Sequence, residues 1–209
     1  MADRKPDLDA AYALETPADS VRLYRDWAAS YDADFVAAQS YRLPEVVALA
    51  FAGRGGEGPV LDVGAGTGAV GMHLHRLNLG PVDGVDISRE MLDVAAGKGV
   101  YAGLITADIT RGLDFGTGSY RGVVSAGTFT LGHVGPQALD DLVRITSHGG
   151  LICLSVGSRH FDAAGFAARL AMLRPKIRDL RIDEARIYGD AADPAHRHDT
   201  ARIVSFHRA

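Results

Sequence analysis

The residues of this chain that could do chemistry fall in an ordered series. Val60, Leu61, Asp62 and Val63 lead directly into Gly64, Ala65, Gly66, Thr67, Gly68, Ala69, Val70 and Gly71. Glycines at such a turn let the backbone bend tightly, approach a ligand closely and aim helix N-terminal amides at it. Asp86 follows Gly66 by 20 residues, in Gly84, Val85, Asp86, Ile87, Ser88. A carboxylate there can accept hydrogen bonds from both hydroxyls of a ribose, with Ile87 beside it. Asp108 and Ile109 come next, in Thr106, Ala107, Asp108, Ile109. An acid followed by an aliphatic residue suits an adenine, the carboxylate taking the exocyclic amine while the side chain packs on the ring. Each acid also has a plainer reading: Asp86 as a cap for a helix starting near Ser88, and Asp108 as a loop acid facing water.

Gly66 to Gly71 spells G-x-G-x-x-G, and with Asp86 it also fits a dinucleotide-binding fingerprint. Asp62 separates the two ligands. A carboxylate at the end of the first strand repels a pyrophosphate but favours an ammonium group, directly or through water. S-adenosylmethionine carries an amino-acid ammonium and no phosphate, so it is the expected cofactor, with S-adenosylhomocysteine as its product. A nicotinamide-dependent oxidoreductase and a non-catalytic module that binds S-adenosylmethionine remain the alternatives.

These residues need a scaffold that presents strand ends side by side. From Pro59 onward, short β-branched runs bounded by Gly or Asp alternate with segments of helical length and period. Strands are predicted at Val60–Val63, Val82–Val85, Ala102–Ala107, Gly122–Ser125 and Gly150–Val156. Helices are predicted at Ala69–Leu77, Ser88–Ala96, Gln137–Thr146 and Phe161–Arg174. Alternation of this kind means a mostly parallel sheet covered on both faces, an α/β doubly wound arrangement. Leu180–Tyr188 and Ala201–His207 read as two final strands with no helix between them, and so pair antiparallel. Before the Gly-rich link of residues 53–58, Ser20–Phe35 reads as a helix capped by Ser20, and Pro44–Ala52 as a second. The expected organisation is one domain over residues 1–209, a helical cover over 1–53 and a Rossmann-like core over 58–209.

With 47% hydrophobic and 23% charged residues, the 209-residue chain has the composition of an ordinary globular protein. Its net charge of −4 divides unevenly: residues 159–209 carry ten basic against seven acidic side chains, which leaves −7 for the rest. Neither part has the concentrated basic face that phosphate backbones require, so no nucleic-acid partner is expected. The first residues mix acids with bases and lack an apolar segment, no run is long enough to span a membrane, and one cysteine forms no internal disulfide. The expectation is a cytoplasmic protein with Cys153 packed in the core.

Asp62 to Gly68 (DVGAGTG), followed by Asp86 and Asp108, resembles the ordered motifs of class I S-adenosylmethionine-dependent methyltransferases. Tyr24 to Phe35, Tyr41 to Val47, Val82 to Tyr101 and Gly127 to Gly135 are further similar to the Williams-Beuren-region methyltransferase-like proteins. The resemblance implies a seven-stranded sheet with helices on both sides. It places the methionine end at Asp62, Gly64 and Gly66, the ribose at Asp86, the adenine at Asp108 and Ile109, and further contacts around Ser125 and Gly127. Trp27 and Tyr31 would cover the cofactor. The chain departs from the family pattern at Arg121, where an aspartate is common, and at Ser147, His148, Gly149, Gly150, where Arg-Pro-Gly-Gly is common.

Tyr24, Trp27 and Tyr31 recur at spacings of three and four, which puts them on one helical face. Such a stripe can face a sulfonium or simply pack the helix down. His133 follows the fourth strand on the loop where an acceptor would sit, and is the candidate proton acceptor; a pocket-shaping role is the alternative. His196 and His198, near Asp193 and Asp199, lack a full ligand set, and no metal is expected. The acceptor is expected to be a small molecule of unidentified kind.

Overall fold

The computed structural model describes residues 17–131 and 133–209. The expectation about the first residues lies outside them. Helix α1 spans Pro17–Trp27, a π-helical turn Asp32–Ala37, and α2 Leu43–Gly53. Then come β1 (Val60–Val63), α3 (Ala69–Arg76), β2 (Val82–Asp86), α4 (Arg89–Ala96) and β3 (Gly103–Thr106). β4 (Tyr120–Phe129), α5 (Ala138–Ile145) and β5 (Thr146–Gly157) follow. The chain ends with α6 (Ser158–Ala163), α7 (Phe166–Leu173), β6 (Ile177–Arg186) and β7 (Thr200–Arg208).

The seven strands form one sheet in the order β3-β2-β1-β4-β5-β7-β6. Pairings are parallel from β3 through β5, and β7 runs antiparallel to both its neighbours. The Rossmann-like expectation and the antiparallel end are therefore both met. β1 is central, and all four of its residues are buried, which is why it reads as a short continuous apolar run broken only by Asp62. One core packs α5, α6 and α7 on one face, with Phe129, Leu142, Phe166 and Phe206 at its centre. The other packs the N-terminal helices and α3 around Val47, Phe51, Leu74 and Cys153. Cys153 is a core residue, and burial pushes its thiol up to about 12, so it stays protonated.

Four elements differ from their expected form. The predicted helix Ser20–Phe35 starts at Pro17 and stops at Trp27, before the π-helical turn; the Ser20 side chain lies outside the described residues. In one straight helix Trp27 and Phe35 would be ~12 Å apart along the axis. Their ring centroids are 5.6 Å apart, and Tyr31 contacts both, so docking the three rings together overrides a stretch that contains no Gly or Pro. The predicted helix Phe161–Arg174 is two helices, because Gly165 adopts φ +83°, the left-handed conformation that caps α7. β4 and β5 are longer than predicted. Their register slips between Tyr120 and Gly122, so Ser147 to Gly150 bulge out, while Arg121 forms an exposed ion pair with Glu57.

Candidate cofactor and acceptor site

Sheet order fixes the place of the site. The direction of winding reverses between β1 and β4, and in open α/β sheets a ligand binds outside the carboxyl ends of the strands at that point. A cavity lies there, bounded by Gly64 to Thr67 after β1, Asp86 and Ile87 after β2, Asp108 and Ile109 after β3, and Gly127 and Thr128 in β4. Tyr24, Tyr31 and Tyr41 close it from the N-terminal side, with His133 at the end nearest β4.

The glycines differ in what they require. Gly64 (φ +70°) could not carry a side chain, since a Cβ would lie 1.9 Å from the Thr128 Oγ1. Gly66 (φ +53°) has open space on that side, so its face toward the cavity is free for a ligand. Gly127 (φ +80°) sits in the register slip of β4, with a Cβ position only 2.3 Å from the Tyr41 hydroxyl oxygen. Tyr41 therefore lies directly on the backbone at this turn of β4.

Asp86 accepts from the backbone N–H of Gly66 and of Ser88, both at 2.9 Å, and lines the cavity. Burial raises its pKa above the ordinary carboxylate range, and the backbone donors oppose the rise. Capping of α4 falls to Ser88, whose hydroxyl accepts from the Met91 N–H. Asp108 accepts from the Thr110 N–H and hydroxyl through Oδ1, which leaves Oδ2 to a ligand, and Ile109 is buried beside it.

Asp62 is placed differently from the expectation. It is fully buried, does not line the cavity, and accepts a 2.7 Å hydrogen bond from the Tyr101 hydroxyl. That hydroxyl in turn accepts from the Gly71 N–H, so the pair fastens the glycine loop to α3 from behind. The other oxygen, Oδ1, is buried with no partner among the described residues, and burial pushes the carboxyl up to about 7. Ser125 is also one layer behind, donating to the Val63 carbonyl at 2.6 Å, where Thr128 donates too. Trp27 packs in the core, 2% exposed, against Tyr31, which itself reaches the cavity. The helical stripe thus divides into Tyr24 and Tyr31 facing the site and Trp27 packing.

His133 Nδ1 lies 3.1 Å from the Leu131 carbonyl and 2.8 Å from the Thr130 hydroxyl. A carbonyl only accepts, so Nδ1 carries the proton and Nε2 is the acceptor, 3.4 Å from the Tyr24 hydroxyl. Burial lowers the His133 pKa, which keeps the ring neutral. Gly132, next to it, lies outside the described residues.

Several residues here stand in the sequence only inside stretches similar to a family, with no role assigned to them. Asp32 in the π-helical turn receives the Thr67 hydroxyl and the Lys98 ammonium, tying the cover to the glycine loop and to the end of α4. Tyr101 meets Asp62 across 39 positions. Tyr41 was conspicuous only within a stretch similar to a family. In the loop before β7, His196 Nδ1 pairs with Asp199 at 3.0 Å, and the described residues contain no group of three or more side chains suited to a metal.

Residues 60–150 match the family model described as a methyltransferase domain. Together with the strand order, this match gives the chain the Rossmann-like fold of class I methyltransferases. The human protein named Methyltransferase-like protein 27 is 32% identical over 151 residues, covering 70% of this chain. The chain spans 61% of that relative's length. Two solved structures share the fold. One is an S-adenosylmethionine-dependent methyltransferase of Thermotoga maritima, with TM-score 0.62, 13% identity, and 90% and 98% of the two chains covered. The other is the partner of the Trm112 methyltransferase activator in a Haloferax volcanii complex, with TM-score 0.65, 18% identity, and 88% and 96% covered.

Proposed function

We propose that this chain transfers a methyl group from S-adenosylmethionine to a small-molecule acceptor, with His133 taking the proton that the acceptor loses. The observation that carries the reading is the lining of the cavity: an open glycine face, two carboxylates at neighbouring strand ends, aliphatic side chains, and no Lys or Arg among its described residues. That set suits an ammonium, a ribose and an adenine, and lacks the cation that would favour a pyrophosphate. Asp86 takes the ribose hydroxyls, Asp108 Oδ2 takes the adenine amine, and Ile87 and Ile109 flank the ring. Gly64, Gly66 and Gly127 allow close approach. The Asp62 carboxylate, buried behind the loop, acts on the ammonium through its charge, and Ser125 holds the loop's first turn in place. Tyr31 lies on the cofactor with Trp27 backing it.

S-adenosylmethionine supplies an electrophilic methyl on a sulfonium, whose displacement is governed by alignment in a dry pocket. Tyr24, Tyr31 and Tyr41 exclude water at that point, and burial keeps the Tyr24 and Tyr31 hydroxyls protonated. Neutral His133 presents Nε2 as the base, its ring oriented by the Leu131 carbonyl. A cytoplasmic location and a protein built as one domain accord with this reading, and among the described residues no helix is long and apolar enough to cross a membrane.

The test is methyl transfer with a hydroxyl acceptor, read as S-adenosylhomocysteine formed. His133→Ala should keep cofactor affinity and slow turnover by at least about tenfold, at the low side of general-base effects. Unchanged turnover would remove His133 as the base. A large loss of cofactor affinity would make it a residue that shapes the pocket.

A further inference from the structure

A second cavity, of about 230 Å³, begins where the first ends. Tyr24, Tyr31, Tyr41, Gly127 and His133 line both. The second runs from them toward β7 and the start of α6, bounded there by Ser158, His160, Tyr188 and Thr200. The proposed base thus stands in the wall between the two spaces. An enclosed apolar space of about 150 Å³ takes up benzene, so this one has room for a single ring with a few substituents.

Its walls are aromatic. Tyr31 and Phe35 lie 4.9 Å apart between ring centroids, Phe35 and Tyr41 5.1 Å, and Tyr41 and Tyr188 6.0 Å, a continuous series of faces and edges. Aromatic pairs at these distances attract through their quadrupoles, and a planar ring entering the space extends the series. The permanent charges on the lining are Arg159 and Asp199, which face each other at 3.7 Å. They offset one another, so a charged ligand gains no unbalanced partner. His160 lines the same cavity and is 8% exposed. Its Nε2 lies 2.9 Å from the Val134 carbonyl, which can only accept, so Nε2 carries the proton. Its Nδ1 is then a buried acceptor, and it has no partner among the described residues. An unmet acceptor of this kind is costly unless a donor arrives.

We infer that this second cavity is the acceptor subsite, and that it takes a small, uncharged aromatic molecule carrying hydroxyl donors. The inference rests on the methyltransferase reading above and adds the acceptor's chemical class. One hydroxyl faces His133 Nε2 and is the methylated group: its O–H proton passes to Nε2 as the new O–CH3 bond forms and the methyl–sulfur bond breaks. A second donor satisfies His160 Nδ1, and the ring lies among Tyr31, Tyr41 and Tyr188.

The probe is 4-hydroxybenzyl alcohol, titrated into the protein saturated with S-adenosylhomocysteine and followed by the NMR shifts of the Gly127 and Gly157 amides. Three comparators separate the properties: 4-(hydroxymethyl)cyclohexanol lacks the aromatic ring, 4-methylanisole lacks hydroxyl donors, and 4-hydroxybenzoate replaces the alcohol donor with a charged carboxylate. The probe should bind at least fivefold more tightly than each comparator and shift both amides. Tyr188→Phe should keep that affinity and Tyr188→Leu should lose at least fivefold of it, with S-adenosylhomocysteine affinity unchanged in both. A probe that ranks with its comparators, or moves neither amide while S-adenosylhomocysteine binds, overturns the aromatic-acceptor inference alone. Failure of S-adenosylhomocysteine to bind would instead overturn the methyltransferase reading beneath it. The ranking in the parent protein decides the matter even if Tyr188→Leu does not fold.

Discussion

Asp62 and Asp86 end neighbouring strands, and burial raises both above the ordinary carboxylate range, but they have different duties. Asp86 faces the cavity, so Asp86→Ala should weaken S-adenosylhomocysteine binding by roughly 1.5 to 4 kcal/mol through loss of charge-assisted hydrogen bonds. The same carboxylate also accepts from Gly66 and Ser88. Asp86→Asn retains one acceptor oxygen and should fall between parent and Ala in calorimetry; equal affinity in all three would reduce Asp86 to a brace for the loop. Asp62 titrates near 7 in the free protein, against an ordinary value of 3.8. A cation that favours its ionised form must displace a proton below that pH. Cofactor affinity should therefore fall as pH drops from about 7 toward 5, by up to about tenfold per unit. Asp62→Asn should flatten this dependence. The sign for folding is opposite: the folded state binds the extra proton between about 4 and 7, so this group's contribution to stability declines as pH rises through that window. A pH-independent affinity in the parent would place Asp62 out of reach of the ammonium.

At the scale of elements, residues 17–38 have few polar ties to the core among the described residues, chief among them Asp32 to Thr67 and Lys98, whereas residues 39–42 are held by backbone hydrogen bonds to Ile187 and Gly189. Segments with few anchoring contacts open first, and closing elements are drawn from them. Amide exchange over residues 17–38 should be faster without cofactor than with it, and Asp32→Ala should speed it in the free protein while leaving the β1 and β4 amides unaffected. Equal protection in free and bound forms would make the aromatic stripe simple packing. These elements also mark the limit of what could be read from the chain. β1, β2 and α4 were legible because each is a short periodic run closed by Gly, Asp or Ser. The break after Trp27 was not, because residues 28–30 contain no helix breaker and the cause is contact among distant rings. The Asp62 position was legible as an acid at a strand end. Its turn away from the cavity was not, since that depends on Tyr101, 39 residues later. Asp86, Asp108 and His133 were found because motif order puts them at strand ends, whereas Tyr41 and His160 come to the cavities from the segment before α2 and from α6, where no motif marks them.

For the whole molecule, the order β3-β2-β1-β4-β5 brings three strand ends and the glycine loop to one crevice, and the antiparallel β7 and β6 extend the sheet past the second cavity. The two spaces share a wall of tyrosines and His133, so cofactor and acceptor chemistry meet at one point of the fold. On the proposed function, the first space is built for S-adenosylmethionine rather than for a dinucleotide. Isothermal titration of the same protein sample with S-adenosylhomocysteine and, separately, with NAD tests it without knowledge of the acceptor. Saturable binding of S-adenosylhomocysteine without added metal is expected, with at least tenfold weaker binding of NAD. Tight binding of NAD with no heat from S-adenosylhomocysteine would contradict it.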